Sequence, residues 1–160
     1  MDERIRQAAA PAQGDSPYPG DRRRRVRKRR IRGSALILDT NALSAFADGD
    51  AAVGELLRQQ ARACIPVIVL GEFRYGIARS RHRATYEGWL ASQLAHFDVL
   101  PVTEETTLRY VAIRVALRQR GRPIPANDAW IAALALQHRL PVLSRDAHFD
   151  AVSRISRQSW

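Results

Sequence analysis

Ala35-Leu36-Ile37-Leu38-Asp39 is an unbroken apolar run that stops at a carboxylate. It is too short for a helix and shows no alternation, so it predicts a strand buried on both faces of a parallel sheet. In open α/β sheets ligands bind beyond the carboxyl ends of the strands, so a strand that ends in an acid marks the edge where chemistry belongs. A plainer use of Asp39 with Thr40 and Asn41 is an Asx-type turn or cap.

Downstream, residues 51 to 62 are helix-like, Cys64-Ile65 fits a second short strand, and Pro66 opens a helix over about 67 to 78. A further helix is expected over 83 to 95, then a strand at Asp98-Val99-Leu100. Between 104 and 120, Leu108, Val111, Ala112, Val115 and Ala116 repeat at helical spacing and predict the core-facing stripe of a helix, which Gly121 stops. After the loop Arg122-Pro123-Ile124-Pro125, residues 129 to 136 are apolar all round and predict a buried helix, followed by a strand at Pro141-Val142-Leu143. Strands and helices alternating in this way indicate an α/β sandwich around a short parallel sheet.

Three further acids fall near strand ends or in apolar surroundings. Asp128 opens the buried helix, Asp146 lies three residues beyond Leu143, and Glu72 sits in its helix between Leu70 and Phe73. Taken singly, Asp128 suits the positive end of a helix dipole and Glu72 a solvent-facing position. Together with Asp39 they would repel strongly at one sheet end unless a cation compensated them. Hard divalent cations such as Mg²⁺ or Mn²⁺ accept carboxylate oxygen, acidify a bound water and neutralise charge on a phosphate, which suits a nuclease. His82, His96, His138 and His148 show no clustered spacing and are read as surface or packing residues; Tyr75, Trp89 and Trp130 lie in apolar helices and are read as core.

Composition narrows the remaining classes. Residues 1 to 33 hold 11 basic and 4 acidic side chains, against 15 and 12 in residues 34 to 160, and lack apolar periodicity. This segment is read as a basic, disordered tail, solvated or translated from a start codon upstream of the native one; an arm binding RNA phosphates is the alternative. Residues 34 to 160 are read as the folded domain. Cys64 is the single cysteine, which excludes a disulfide framework and a cysteine-ligated zinc site. No apolar stretch of about 18 residues occurs, so no membrane span is expected, and the charged start lacks the form of a secretory signal, which gives a cytoplasmic expectation.

Four stretches then carry a family resemblance: Leu36-Ile37-Leu38-Asp39-Thr40-Asn41-Ala42-Leu43, Gly71-Glu72-Phe73-Arg74-Tyr75-Gly76-Ile77, Pro125-Ala126-Asn127-Asp128-Ala129-Trp130-Ile131-Ala132-Ala133 and Leu143-Ser144-Arg145-Asp146-Ala147-His148-Phe149. In this order and spacing they resemble the PIN-domain family, and within it the VapC toxins of bacterial toxin-antitoxin pairs. The resemblance covers about residues 35 to 160. It implies a PIN-like three-layer sandwich with a short central parallel sheet flanked by helices. It makes Asp39, Glu72, Asp128 and Asp146 the catalytic, metal-binding acids, with Mg²⁺ or Mn²⁺ as cofactor. It makes Thr40 and Asn41 supports of the first acid and Ser144 a hydroxyl near the fourth, where many relatives carry Thr. Relatives of this kind cut structured RNA such as transfer or ribosomal RNA, form homodimers, and are held inactive by a VapB-type antitoxin. Arg74 and Arg145, beside the expected ligands, are then expected to meet RNA phosphates. The basic tail is a departure, because such proteins usually begin just before the first strand.

Rival families fail on particular residues. A haloacid-dehalogenase-like phosphatase needs a second aspartate where this chain has Asn41, and both it and a phospho-receiver need a late lysine, whereas Lys28 is the only lysine. Two readings within the fold stay open: a PIN nuclease in RNA processing without an antitoxin, and a non-catalytic RNA-binding PIN domain.

Overall fold

The computed structural model describes residues 34 to 160, so the basic tail expected at 1 to 33 lies outside the described residues. The first strand, β1, is Ala35–Leu38, and all four of its residues are buried. The chain then runs through α1 (Thr40–Ala47), α2 (Ala51–Arg58), β2 (Arg62–Pro66), α3 (Val67–Ala78) and α4 (Arg83–Gln93). A 3-10 turn leads into β3 (Phe97–Leu100), followed by α5 (Glu104–Gln119), α6 (Ala126–His138) and β4 (Val142–Leu143). A 3-10 helix, Ala147–Ala151, precedes β5 (Arg157–Gln158).

The five strands form one parallel sheet in the order β3-β2-β1-β4-β5. The chain builds outward from β1 through β2 to β3, then returns to lay β4 and β5 on the other side of β1. Between β1 and β4 the direction of winding reverses, and this is where an open α/β sheet leaves a crevice at the strand ends. The two strands are locked there by backbone bonds, Ile37 N donating to Pro141 O at 2.9 Å and Asp39 N to Leu143 O at 3.1 Å. The expected α/β sandwich around a parallel sheet is the fold observed.

Leu36, Ile37, Leu38, Ile65, Ile131, Leu134, Leu143 and Phe149 are fully buried at the centre of the core. α6 contributes Ala129, Ile131, Ala132, Ala133, Leu134 and Ala135 to it, as its uniformly apolar sequence requires. Cys64 is fully buried as well, and burial pushes its thiol up to about 11, which makes it an inert, small apolar residue. Trp89 packs edge-on against Phe46 and Phe73, and Trp130 stacks on Tyr110 with 3.9 Å between ring centroids.

α5 departs from its sequence pattern. The stripe expected to face the core is turned outward, with Leu108, Val111 and Val115 at 69%, 57% and 49% exposure. The buried residues are Thr106, Ile113 and Leu117, which at about 100° per residue lie nearly opposite that stripe. Thr106 explains the rotation: its hydroxyl donates to Gln137 Oε1 on α6 at 2.6 Å and accepts from Thr103 N at 3.0 Å, closing a capping box. A threonine with both roles satisfied is buried without penalty, so polar pairing sets the face of α5 that meets α6. Two further elements go beyond the sequence pattern. Thr40 begins a full helix and not only a turn, and the chain returns after the 3-10 helix to add β5.

Phe149 is fully buried and anchors the 3-10 helix to the core. Phe149→Ala should cost about 3–5 kcal/mol of stability, read as a lowered denaturant midpoint with an unchanged slope. A loss under about 1 kcal/mol would mean that the segment is held by something else.

Candidate metal centre

The crevice between β1 and β4 is organised around Asp39, which is 5% exposed. Its Oδ1 caps α1 by accepting from Thr40 N at 2.6 Å. Its Oδ2 accepts from Ser144 Oγ at 2.7 Å and from Asn41 Nδ2 at 2.8 Å. Ser144, fully buried just after β4, also accepts from Asn41 Nδ2 at 3.1 Å and from Asp146 N at 2.9 Å. Asn41 Oδ1 accepts Arg145 N at 3.2 Å. One serine hydroxyl and one asparagine amide, each with its capacity used, thus shape the loop after β4 against the end of β1.

Glu72 reaches the same place from α3. Thr40 Oγ1 donates to its Oε2 and Asn127 Nδ2, from the first turn of α6, donates to its Oε1. Asp128 is the next residue of that turn, and Asp146 caps the 3-10 helix by accepting His148 N at 2.8 Å. A cleft of ≈ 450 Å³ is lined by Asp39, Thr40, Asn41, Glu72, Asp128 and Asp146, with Ser44 and Tyr75 at its sides. All four acids singled out in the sequence therefore face one space.

Their charges oppose one another. Burial raises the Asp39 carboxyl above its ordinary range, against the bonds from Ser144 and Thr40 and with the help of Asp128 and Glu72. Asp128 is raised chiefly by burial, then held back by its bond to His148 and pushed further by Asp146 and Glu72. Donors from the protein orient these groups but leave oxygen lone pairs directed at the cleft. That donor set fits a divalent cation, whose charge would offset the repulsion.

Three side chains at the cleft escaped the sequence pattern. His148 is not a mere surface residue: its Nδ1 lies 2.9 Å from Asp128 Oδ2 and 3.0 Å from Asp146 Oδ1. The Asp128 bond, first among the causes, raises the imidazole pKa. The spacing Asp146-x-His148 was the available signal, because an aspartate that caps a short helix brings the second residue onward back beside it. Asn127 was visible only as the neighbour of Asp128. Tyr75, expected in the core, is 65% exposed and lines the cleft.

The two arginines stand differently. Arg74 is exposed and absent from the cleft lining, because two steps along α3 turn it about 200° from Glu72. Arg145, also absent from the lining, is held beside it, its Nη2 3.0 Å from Asp50 Oδ2 and its guanidinium 4.4 Å from the Trp160 ring centre. Trp160 Nε1 in turn donates to the same Asp50 oxygen at 3.1 Å, clasping the chain's last residue to the start of α2.

Comparison with known proteins gives a consistent answer. The PIN domain family profile matches residues 36 to 155. Ribonuclease VapC5 of Mycobacterium tuberculosis is 31% identical over 132 residues, 74% of this chain and 88% of that protein. The crystal structure of the M. tuberculosis VapBC-5 toxin-antitoxin member superposes with a TM-score of 0.61 at 31% identity, over 79% of this chain and 97% of that one. VapBC2 of Rickettsia felis, bound to a DNA fragment from its promoter, shares the fold at TM-score 0.72 and 23% identity, over 79% and 98%.

A carboxyl whose folded pKa lies above its unfolded value costs stability once ionised; the cost is full above the folded pKa and gone below the unfolded one. In EDTA, Asp128→Asn should therefore melt higher than the parent at neutral pH, by a few degrees at about 2–4 °C per kcal/mol. The gap should close as pH falls through the raised Asp128 range. Equal melting temperatures at neutral pH would show that ionised Asp128, with its burial and its acidic neighbours, costs nothing at this site.

Proposed function

Because the chain belongs to the PIN-domain family, we propose that it is a divalent-metal-dependent endoribonuclease of the VapC kind, the toxin of a type II toxin-antitoxin pair. One observation carries the site assignment: carboxylates from four separate elements, following β1, within α3, opening α6 and following β4, line a single cleft. Such convergence costs stability in the metal-free protein, and a bound cation offsets that cost. Asp39, Glu72, Asp128 and Asp146 are the ligands in this account, and Mg²⁺ or Mn²⁺ the cation, as the oxygen donors favour.

When bound, the cation supplies charge neutralisation at the scissile phosphate and lowers the pKa of the attacking water. The chain's own residues hold the geometry. Asp39 is fixed at both oxygens by Thr40 N, Asn41 and Ser144, so its free lone pairs keep one direction. Thr40 and Asn127 do the same for Glu72, tying the ends of β1, α3 and α6 into one frame. Tyr75, exposed at the cleft wall, offers an apolar ring with a hydroxyl to an RNA base or sugar. Arg145, next to Asp146, is the residue we assign to a phosphate beside the cleft, and Arg74, exposed on the face of α3 turned from Glu72, meets only RNA that extends beyond the cleft.

The substrate in this account is structured RNA such as transfer or ribosomal RNA, and the regulator a VapB-type antitoxin acting on a homodimer. Support comes from the similarity to ribonuclease VapC5 and to the VapBC-5 complex. Among the described residues no helix is long and apolar enough to cross a membrane.

Purified protein incubated with small RNAs should cleave with Mg²⁺ or Mn²⁺ and stop with EDTA. Asp39→Asn should lower cleavage at least about a hundredfold, the scale of a lost catalytic cation. Thr40→Val, which only unfastens Glu72, should cost about tenfold. Undiminished cleavage in EDTA or in Asp39→Asn would refute the metal-carboxylate mechanism. A folded protein that cuts no RNA with either metal would establish the non-catalytic alternative.

A further inference from the structure

Among the described residues, one group of three different side chains has ligand atoms within 4.8 Å of one another: Asp128, Asp146 and His148. Asp39 and Glu72 are not part of that group, and each is already tied to the protein through hydrogen bonds at both oxygens. The site is thus chemically uneven. One half is all carboxylate with strong internal support, and the other combines two carboxylates with an imidazole.

We infer that His148 is a metal ligand, coordinating through Nδ1 the same cation as Asp128 and Asp146, and that this nitrogen biases the centre toward Mn²⁺ over Mg²⁺. The inference rests on the assignment of Asp128 and Asp146 as ligands made above and deepens it. Its geometric basis is the spacing of the three atoms. Nδ1 lies 2.9 Å from Asp128 Oδ2 and 3.0 Å from Asp146 Oδ1. Ligands in neighbouring positions of an octahedron with bonds of about 2.1 Å are about 3.0 Å apart, the spacing Nδ1 already makes with both carboxylates, and all three atoms lie within 4.8 Å of one another.

Backbone structure supplies the orientation. Asp146 caps the 3-10 helix through His148 N, which brings the ring back over the capping carboxylate. Phe149, the next residue, is fully buried and fixes the turn. The His148 side chain is 47% exposed, against 17% for Asp128, so the ring is open to the solvent from which a hydrated ion would come. To coordinate through Nδ1 the ring has to be neutral, with its proton on Nε2.

Chemistry then gives the selectivity. Mg²⁺ demands oxygen donors and parts with water reluctantly, while later first-row cations accept imidazole nitrogen readily, and Mn²⁺ tolerates a mixed set. An all-carboxylate site would discriminate little on this ground.

The test uses the full chain and the metals alone. Mn²⁺ bound to the wild-type protein should show pulsed-EPR modulation from an imidazole ¹⁴N, and His148→Ala should lose it. By calorimetry, His148→Ala should weaken Mn²⁺ binding on the order of tenfold and Mg²⁺ binding by less than about threefold, with His148→Asn as a second variant should the first not fold. Absence of ¹⁴N modulation in the wild type, its persistence in His148→Ala, or equal weakening of both metals would overturn the inference while leaving the carboxylate centre intact. Wild-type protein that binds neither metal would instead bring down the metal assignment beneath it.

Discussion

A nearly buried carboxylate has to be surrounded by donors, and at Asp39 that requirement organises the crevice. Both its oxygens are occupied by Thr40 N, Asn41 and Ser144, and burial still raises its pKa. Meeting the requirement forces other choices. Ser144 has to lie beside β1, which β4 achieves by pairing there, and Asn41 has to stand at the start of α1 with its amide turned inward. The loop that carries Asp146 is then built on the same hydroxyl and amide. The position of the fourth acid is in this sense a consequence of satisfying the first.

The arrangement sets stability against chemistry. The core is ordinary, aliphatic and fully packed around β1, α6 and β4, and it supplies the surplus against which repulsion at the crevice is set. Away from the crevice, several acids are paired with arginine. Asp98 meets Arg62, and Asp150 meets Arg157, whose other amine donates to Ser144 O at 3.1 Å. At the end of β1 and β4, four carboxylates line one cleft instead, with the imidazole of His148 bridging two of them.

Much of this was legible before any coordinates. Unbroken apolar runs at Ala35 to Leu38 and through α6 declare elements buried on all sides, because no other environment accepts them. Acids at the ends of such elements stand out, since a carboxylate beside a buried strand needs a reason. The stripe on α5 misled for a definite cause. Apolar spacing reports that a helix has two faces, but Thr106, whose hydroxyl is satisfied by Gln137 and Thr103, makes the face with fewer aliphatic residues the buried one. Tyr75 was misplaced for a related reason, since a position in an apolar helix does not say which way the ring points.

By itself, the sequence determined the α/β class, the strand that seeds the sheet, and the four acids that gather at its end. The class, the strand and Asp39 are written in local apolar runs and the polar residues that end them; Glu72, set inside α3, stood out with Asp128 and Asp146 only jointly and through the family resemblance. The tertiary structure alone decided the strand order that sets β4 beside β1, the rotation of α5, and the roles of Asn127 and His148. Those depend on hydrogen bonds between residues distant in the chain, such as Asn127 with Glu72 or His148 with Asp128, and no local pattern encodes a partner 20 or 55 residues away.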